Sequence, residues 1–375
     1  MTGLNKTTIS SLVERLMTWR LVHEVGRDTS GNGRPGTLLA LNPQAGAILG
    51  LELGVDFISV VVTSFTGQIE WRHLKETDPG DSQEAILAQA FCLIDEARGF
   101  AQAKFESILG LGVALPGLVN VAEGMLLFSP NLQWRTVPLR QILADSSRLP
   151  VFVENDANAA ALGEYLFGQA RQCRNFLFFA MGIGIGAGLF LNGDLYRGQG
   201  GIAGEIGHTN FTGSSRPCRC GRRGCWETSV NQYALIERVW ASLDAGHFSE
   251  ISQLVTDKKP DISLTDIEWA AKAGDQVTLD ALSETGAAIG LGIANLINIF
   301  NPEKVILGGM MSKLGTYLLP AINGMVTKHA LAELHPHTEV VLSNFGPWAT
   351  VNGAVGLVVQ AVLADPSGVA ERAAQ

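Results

Sequence analysis

Residues 204–227 read Gly-Glu-Ile-Gly-His-Thr-Asn-Phe-Thr-Gly-Ser-Ser-Arg-Pro-Cys-Arg-Cys-Gly-Arg-Arg-Gly-Cys-Trp-Glu. His208, Cys218, Cys220 and Cys225 supply one imidazole and three thiols at short spacing, the donor set of a closed tetrahedral zinc site. Gly221 and Gly224 let so short a loop wrap around an ion, and Arg219, Arg222 and Arg223 are expected to help hold the thiolates ionised. Four protein ligands leave no open position, so the expected Zn2+ is structural and not catalytic. Of the five cysteines, only Cys92 and Cys173 stand apart from this loop, a distribution that suits a metal in a reducing compartment better than disulfides.

Working outward, the chain alternates strand and helix. An apolar strand at 48–53 is followed, after Gly54, by a second at 57–63, as in an antiparallel pair. A helix over 83–103 leads to a buried strand at 108–114, and further strands fall at 151–154, 175–181 and 304–307. Helices at 278–298 and 352–363 are rich in small residues, with Gly286, Gly290 and Gly292 permitting close packing. The alternation implies α/β layers. A length of 375 residues is more than one core usually fills, which suggests two or three domains. Apolar runs such as 176–181 and 287–299 fall short of the roughly 20 residues of a membrane span. The expectation is a soluble cytoplasmic protein without membrane insertion.

The N-terminal 42 residues differ in character. Residues 6–17 carry Ile9, Leu12, Val13 and Leu16 at helical spacing, with Lys6, Thr7, Thr8, Ser10 and Ser11 opposite, the short polar side chains a recognition helix presents to a major groove. Strands at 21–25 and 37–41 would flank a wing at 26–36, where the triplet Gly33-Arg34-Pro35 offers Arg34 to a narrow minor groove. Lys6, Thr7, Thr8, Ser10 and Arg34 are therefore the candidate DNA contacts. The helix opens at the turn of a helix-turn-helix, so the winged segment reads as incomplete. Residues 1–36 hold five basic and three acidic side chains, a local +2 against −11 for the remainder of a chain of net charge −9. The acidic body excludes a protein that coats nucleic acid along its whole surface.

Gly204-Glu205-Ile206-Gly207-His208, the Cys218–Glu227 loop and Glu154-Asn155-Asp156-Ala157-Asn158-Ala159-Ala160 together resemble the ROK family (repressor, open reading frame, kinase) over roughly residues 43–363. With the winged segment, the chain resembles the repressor branch, which includes regulators of xylose, N-acetylglucosamine and glucose genes. The resemblance implies an actin-like, two-lobed α/β body: a small lobe of 43–155 with about 345–375, and a large lobe of 156–344 holding the zinc loop. It also implies a monosaccharide held by Gly117, Asn155, Asp156, Glu205, His208 and Glu227. Carboxylates accept paired bonds from adjacent hydroxyls, and Asn both donates and accepts. His208 would face sugar through one ring nitrogen and zinc through the other.

In kinases of the family the residue matching Asp156 is the base that deprotonates the attacking hydroxyl. The phosphate loops depart from the kinase pattern. Where kinases resemble DxGGTK, this chain has Glu52-Leu53-Gly54-Val55-Asp56-Phe57, and where they resemble GTGIGxG it has Ile183 in place of the Thr. No catalytic residue is therefore expected. The reading is a sugar-responsive regulator that binds operator DNA as a homodimer or higher oligomer. The alternatives are an ATP-dependent hexose kinase and a zinc-bearing, sugar-binding scaffold that acts on protein partners.

Overall fold

The computed structural model describes residues 5–28, 36–211, 213–253 and 262–366. The chain starts with α1 (Lys6–Thr18), whose first turn is capped by the Asn5 side chain accepting from the Thr8 amide. A hairpin of β1 (Val22–Asp28) and β2 (Gly36–Leu41) follows. Its strand runs to Asp28, beyond the expected end at residue 25; the tip with Gly33, Arg34 and Pro35 lies outside the described residues. Ile9 and Leu12 are 40% and 42% exposed, but Leu16, Trp19 and Leu21 pack into the body.

The first lobe holds β3 (Ala47–Leu53), β4 (Phe57–Ser64), β5 (Ile69–Glu76), α2 (Gln83–Lys104) and β6 (Ile108–Leu115). It continues through a small antiparallel sheet of β7 (Leu118–Asn120), β8 (Met125–Ser129) and β9 (Trp134–Val137), then α3 (Leu139–Ser147) and β10 (Val151–Asn155). Next come α4 (Asp156–Leu166), β11 (Phe176–Met181), β12 (Ile185–Leu191) and β13 (Asp194–Leu195). The zinc-type loop leads into α5 (Glu227–Val230), α6 (Gln232–Asp244), α7 (Leu264–Ala273) and α8 (Gln276–Phe300). The chain closes with β14 (Lys304–Gly308), α9 (Gly315–His329), β15 (Glu339–Leu342) and α10 (Ala349–Ala364).

The two main sheets have orders β10-β6-β3-β4-β5 and β13-β12-β11-β14-β15. In each, the first strand pairs antiparallel with the second and parallel with the fourth, so the second sheet repeats the plan of the first. This is the expected actin-like, two-lobed body. All of β3 and β4 is buried, as in a sheet covered by helices on both faces.

α10 packs on β3 and β6, whereas α4 packs on β11 and β12, and the two helices cross each other. Small residues make the crossing possible: a Cβ on Gly163 would lie 2.8 Å from the Gly353 Cα, and one on Gly353 would lie 2.0 Å from the Ala159 carbonyl oxygen. Gly286 and Gly290 admit α9 against α8 in the same way, with would-be contacts of 2.7 and 2.6 Å to the Leu318 and Ile322 carbonyls. α8 and the segment ending in α10 are long and apolar enough to cross a bilayer, which the broken runs in the sequence did not suggest. Most of their apolar surface is consumed within the body.

Candidate functional site

A cleft between the lobes is lined by Gly117, Asn155, Asp156, Glu205, His208 and Glu227 together. Residues scattered over 110 positions thus meet because strand ends and helix starts converge there. Asn155 ends β10 and caps α4, its Oδ1 accepting from the amides of Ala157 (3.0 Å) and Asn158 (3.1 Å). Its Nδ2 donates to the Gly117 carbonyl at 3.1 Å, which fixes the side chain toward the cleft. Gly117 has φ +127°, and a Cβ there would lie 2.5 Å from the Phe128 carbonyl, so no other residue fits. Gly204 (φ +97°) similarly sets the Glu205 turn against β12, where a Cβ would lie 2.3 Å from the Ala187 carbonyl.

Burial pushes the Asp156 carboxyl up to about 6, against bonds from the Ala157 and Asp156 backbone. Burial, with Asp156 and Glu227 nearby, raises Glu205 to about 7. Glu52 rises to about 8, mainly by burial and then by Asp156. These carboxyls stand near the boundary between acid and anion at neutral pH, where they can both donate to and accept from hydroxyl groups.

His208 Nε2 lies 3.7 Å from Glu205 Oε2, whereas Nδ1 lies 3.7 Å from the Cys218 sulfur. One ring nitrogen therefore faces the cleft and the other the cysteine loop. The ligand atoms of His208, Cys218, Cys220 and Cys225 all lie within 4.8 Å of one another. Cys220 and Cys225 sulfurs are 3.7 Å apart, matching the edge of about 3.8 Å for a tetrahedron with zinc–sulfur arms of about 2.3 Å. The donor set thus fits a metal. Gly221 and Gly224 have φ of +90° and +77°, as the wrapped loop requires. Trp226 anchors the loop: its indole donates to the Ala288 carbonyl at 3.1 Å, and Gly292 of α8 has no side chain where its ring lies.

Arg223 donates to the Ser215 carbonyl and Arg219 lies over the Tyr233 ring. Burial and the Glu227 carboxylate push the Cys218 thiol up, and it donates to Glu227 Oε1 at 2.9 Å.

Several cleft residues escaped the sequence reading. Asn131 and Gln232 line the cleft but lie in no recognisable motif. Behind Asn155 in sequence, Glu154 does not line the cleft; it is fully buried and accepts from Arg197 Nη2 at 2.9 Å and Nε at 3.0 Å. Val55, Asp56 and Ile183 border the same cleft.

From residue 48 to residue 361 the sequence matches the model of the ROK family. The chain belongs to the ROK family. It is 34% identical over 363 residues to the xylose repressor of Caldicellulosiruptor bescii, covering 97% of this chain and 90% of that one. To the glucokinase of Halalkalibacterium halodurans it is 32% identical over 313 residues, covering 83% of this chain and 94% of the kinase. It also superposes on the crystal structure of a ROK family transcriptional regulator, a homologue of the E. coli MLC protein, with a TM-score of 0.81 at 29% identity, covering 99% of this chain and 91% of that one. The kinase is matched almost throughout by part of this ROK protein, whereas the regulators also match the N-terminal helix and hairpin.

Proposed function

We propose that this protein is a sugar-responsive transcriptional regulator of the repressor type, working in the cytoplasm, whose kinase-like body binds a monosaccharide without phosphorylating it. The coverage difference carries the reading: a xylose repressor aligns over 97% of the chain and the glucokinase over 83%, and the match to the ROK model begins at residue 48, after the winged segment. Thr7, Thr8 and Ser10 are exposed on α1, as DNA contacts must be, and with Lys6 and Arg34 they are the proposed operator-reading residues. Operator binding is assigned to a homodimer.

In the cleft, Gly117, Asn155, Asp156, Glu205, His208 and Glu227 are the proposed sugar ligands. Asp156 occupies the base position of the kinases and retains a raised pKa. The phosphate path is altered: Val55 fills space at the β3–β4 turn, Asp56 places a carboxyl where kinases offer a hydroxyl, and Ile183 removes a donor. Three such losses, each about 1 to 3 kcal/mol, weaken ATP by orders of magnitude. His208, Cys218, Cys220 and Cys225 would hold Zn2+, which when bound fixes the loop carrying Glu227 and orients the His208 ring.

Titrating the protein into labelled DNA from its own locus, with and without pentoses, hexoses and amino sugars, tests the assignment. One sugar should change DNA affinity, and its binding by calorimetry should be lost in Glu205→Ala. Sugar phosphorylation at about 1 per second or faster would make the kinase reading correct.

A further inference from the structure

We infer that the cleft also accepts its monosaccharide as the first ring of a larger ligand, a disaccharide or a glycoside of that size, whose second ring enters an adjoining cavity faced by Tyr233 and tightens binding. The inference rests on the sugar-binding reading of the cleft. A second cavity of about 390 Å³ lies beside the first, and Asn131, Ile183 and Glu227 line both. Gly184 lines the first cavity next to these shared residues. A Cβ on that residue would lie 3.0 Å from Asn131 Nδ2 and 3.2 Å from Glu227 Oε2, so these groups converge where a side chain is missing. Glu227 therefore faces a ligand from either side.

The far wall of the second cavity has the make-up of a sugar subsite. Tyr233, in the first turn of α6, is 38% exposed and lines the cavity, with the Arg219 guanidinium 5.7 Å from its ring centre. A pyranose ring offers an apolar C–H face and a rim of hydroxyls; an aromatic ring beside hydrogen-bonding groups complements both. The polar rim is held in place. Arg216 pairs with Glu237 at 2.7 Å and also donates to the Thr228 carbonyl. Asn231 caps α6 by accepting from the Ala234 amide and donates to the Ile183 carbonyl at 2.9 Å. A monosaccharide confined to the first cavity uses none of these groups.

Calorimetry on the full chain with xylose, xylobiose, glucose, cellobiose and maltose tests the inference. One disaccharide should bind at least about tenfold more tightly than its monosaccharide. Tyr233→Ala should remove most of that gain and leave the monosaccharide Kd within about twofold, whereas Tyr233→Phe, which keeps the ring, should retain it. If a monosaccharide binds and no disaccharide improves on it, or if Tyr233→Ala weakens both equally, the inference is overturned. Binding of no sugar at all would instead overturn the reading of the cleft, and this inference with it.

Discussion

Replacing Glu154 by Gln should destabilise the body and weaken sugar binding, although Glu154 touches no expected ligand. Four donors converge on its buried carboxylate: Arg197 Nη2 (2.9 Å) and Nε (3.0 Å), the Asn155 amide (3.0 Å) and Asn158 Nδ2 (3.3 Å). Gln keeps the shape but turns an NH2 group toward donors and leaves Arg197 without its counter-charge. Breaking a fully buried pair costs about 3 to 5 kcal/mol. Arg197 retains 30% of its side-chain exposure, so water recovers part of this, and about 2 to 3 kcal/mol is expected. Arg197 also anchors the segment leading to Glu205, its carbonyl accepting from the Ala203 amide at 3.0 Å. Loosening it should cost sugar binding about 1 kcal/mol, roughly fivefold in Kd. Urea unfolding and calorimetry read the two effects. A variant within about 0.5 kcal/mol of the parent, with unchanged sugar affinity, would refute the reasoning.

Metal analysis should find about one equivalent of zinc per chain, and Cys220→Ser should lose it together with sugar affinity; metal-free protein with intact sugar binding counts against the site. Asp156 and Glu52 have folded pKa values of about 6 and about 8 against ordinary values of 3.8 and 4.5. Raised carboxyls bind more protons folded than unfolded, so their contribution is present below the unfolded value and is lost as pH rises through the folded one. The unfolding midpoint should therefore fall from about pH 4.5 to about pH 8, and less steeply in Glu52→Gln; the same slope in that variant would contradict the assignment. Gly292→Ala should cost about 1 to 3 kcal/mol, because its Cβ would lie 2.2 Å from Trp226 Cζ2 in a filled core; a neutral result in thermal unfolding would mean that the indole can shift.

What was legible in the sequence had short-range causes. The cysteine loop and the strand pair at 48–63 are encoded by neighbouring residues, and each stands where it was expected. The repetition of the first sheet's strand order in the second was not legible, because it lies in long-range pairing such as β11 with β14. The partners of two arginines in the cysteine loop were not legible for the same reason: Tyr233 for Arg219 and the Ser215 carbonyl for Arg223 are chosen by how the loop folds back. Asn131 carries no local pattern and only the cleft reveals it, and the pairing of Glu154 with Arg197 spans 43 positions.

The same long-range packing supplies a route from sugar to DNA segment. α4 starts at Asp156, and α10 follows Trp348 with Thr350 in its first turn; Asp156 and Thr350 both line the cleft. At 1.5 Å per residue the two helices run about 16 and 24 Å. Toward their other ends, Leu166 and Phe167 at the end of α4, and Val358, Val359 and Val362 of α10, belong to the cluster that also holds Leu16, Trp19 and Leu21. The glycine crossing at Gly163 and Gly353 leaves no slack between the two rods. Arg20 extends the contact by pairing with Glu106 and, through its carbonyl, accepting from Asn42 Nδ2. A sugar can shift the winged segment only if it binds one lobe arrangement more tightly than another. With the starts of both helices in the cleft and their far ends against α1, a change in lobe angle cannot leave the seat of α1 unaltered. Close-packed interiors transmit such displacements instead of absorbing them.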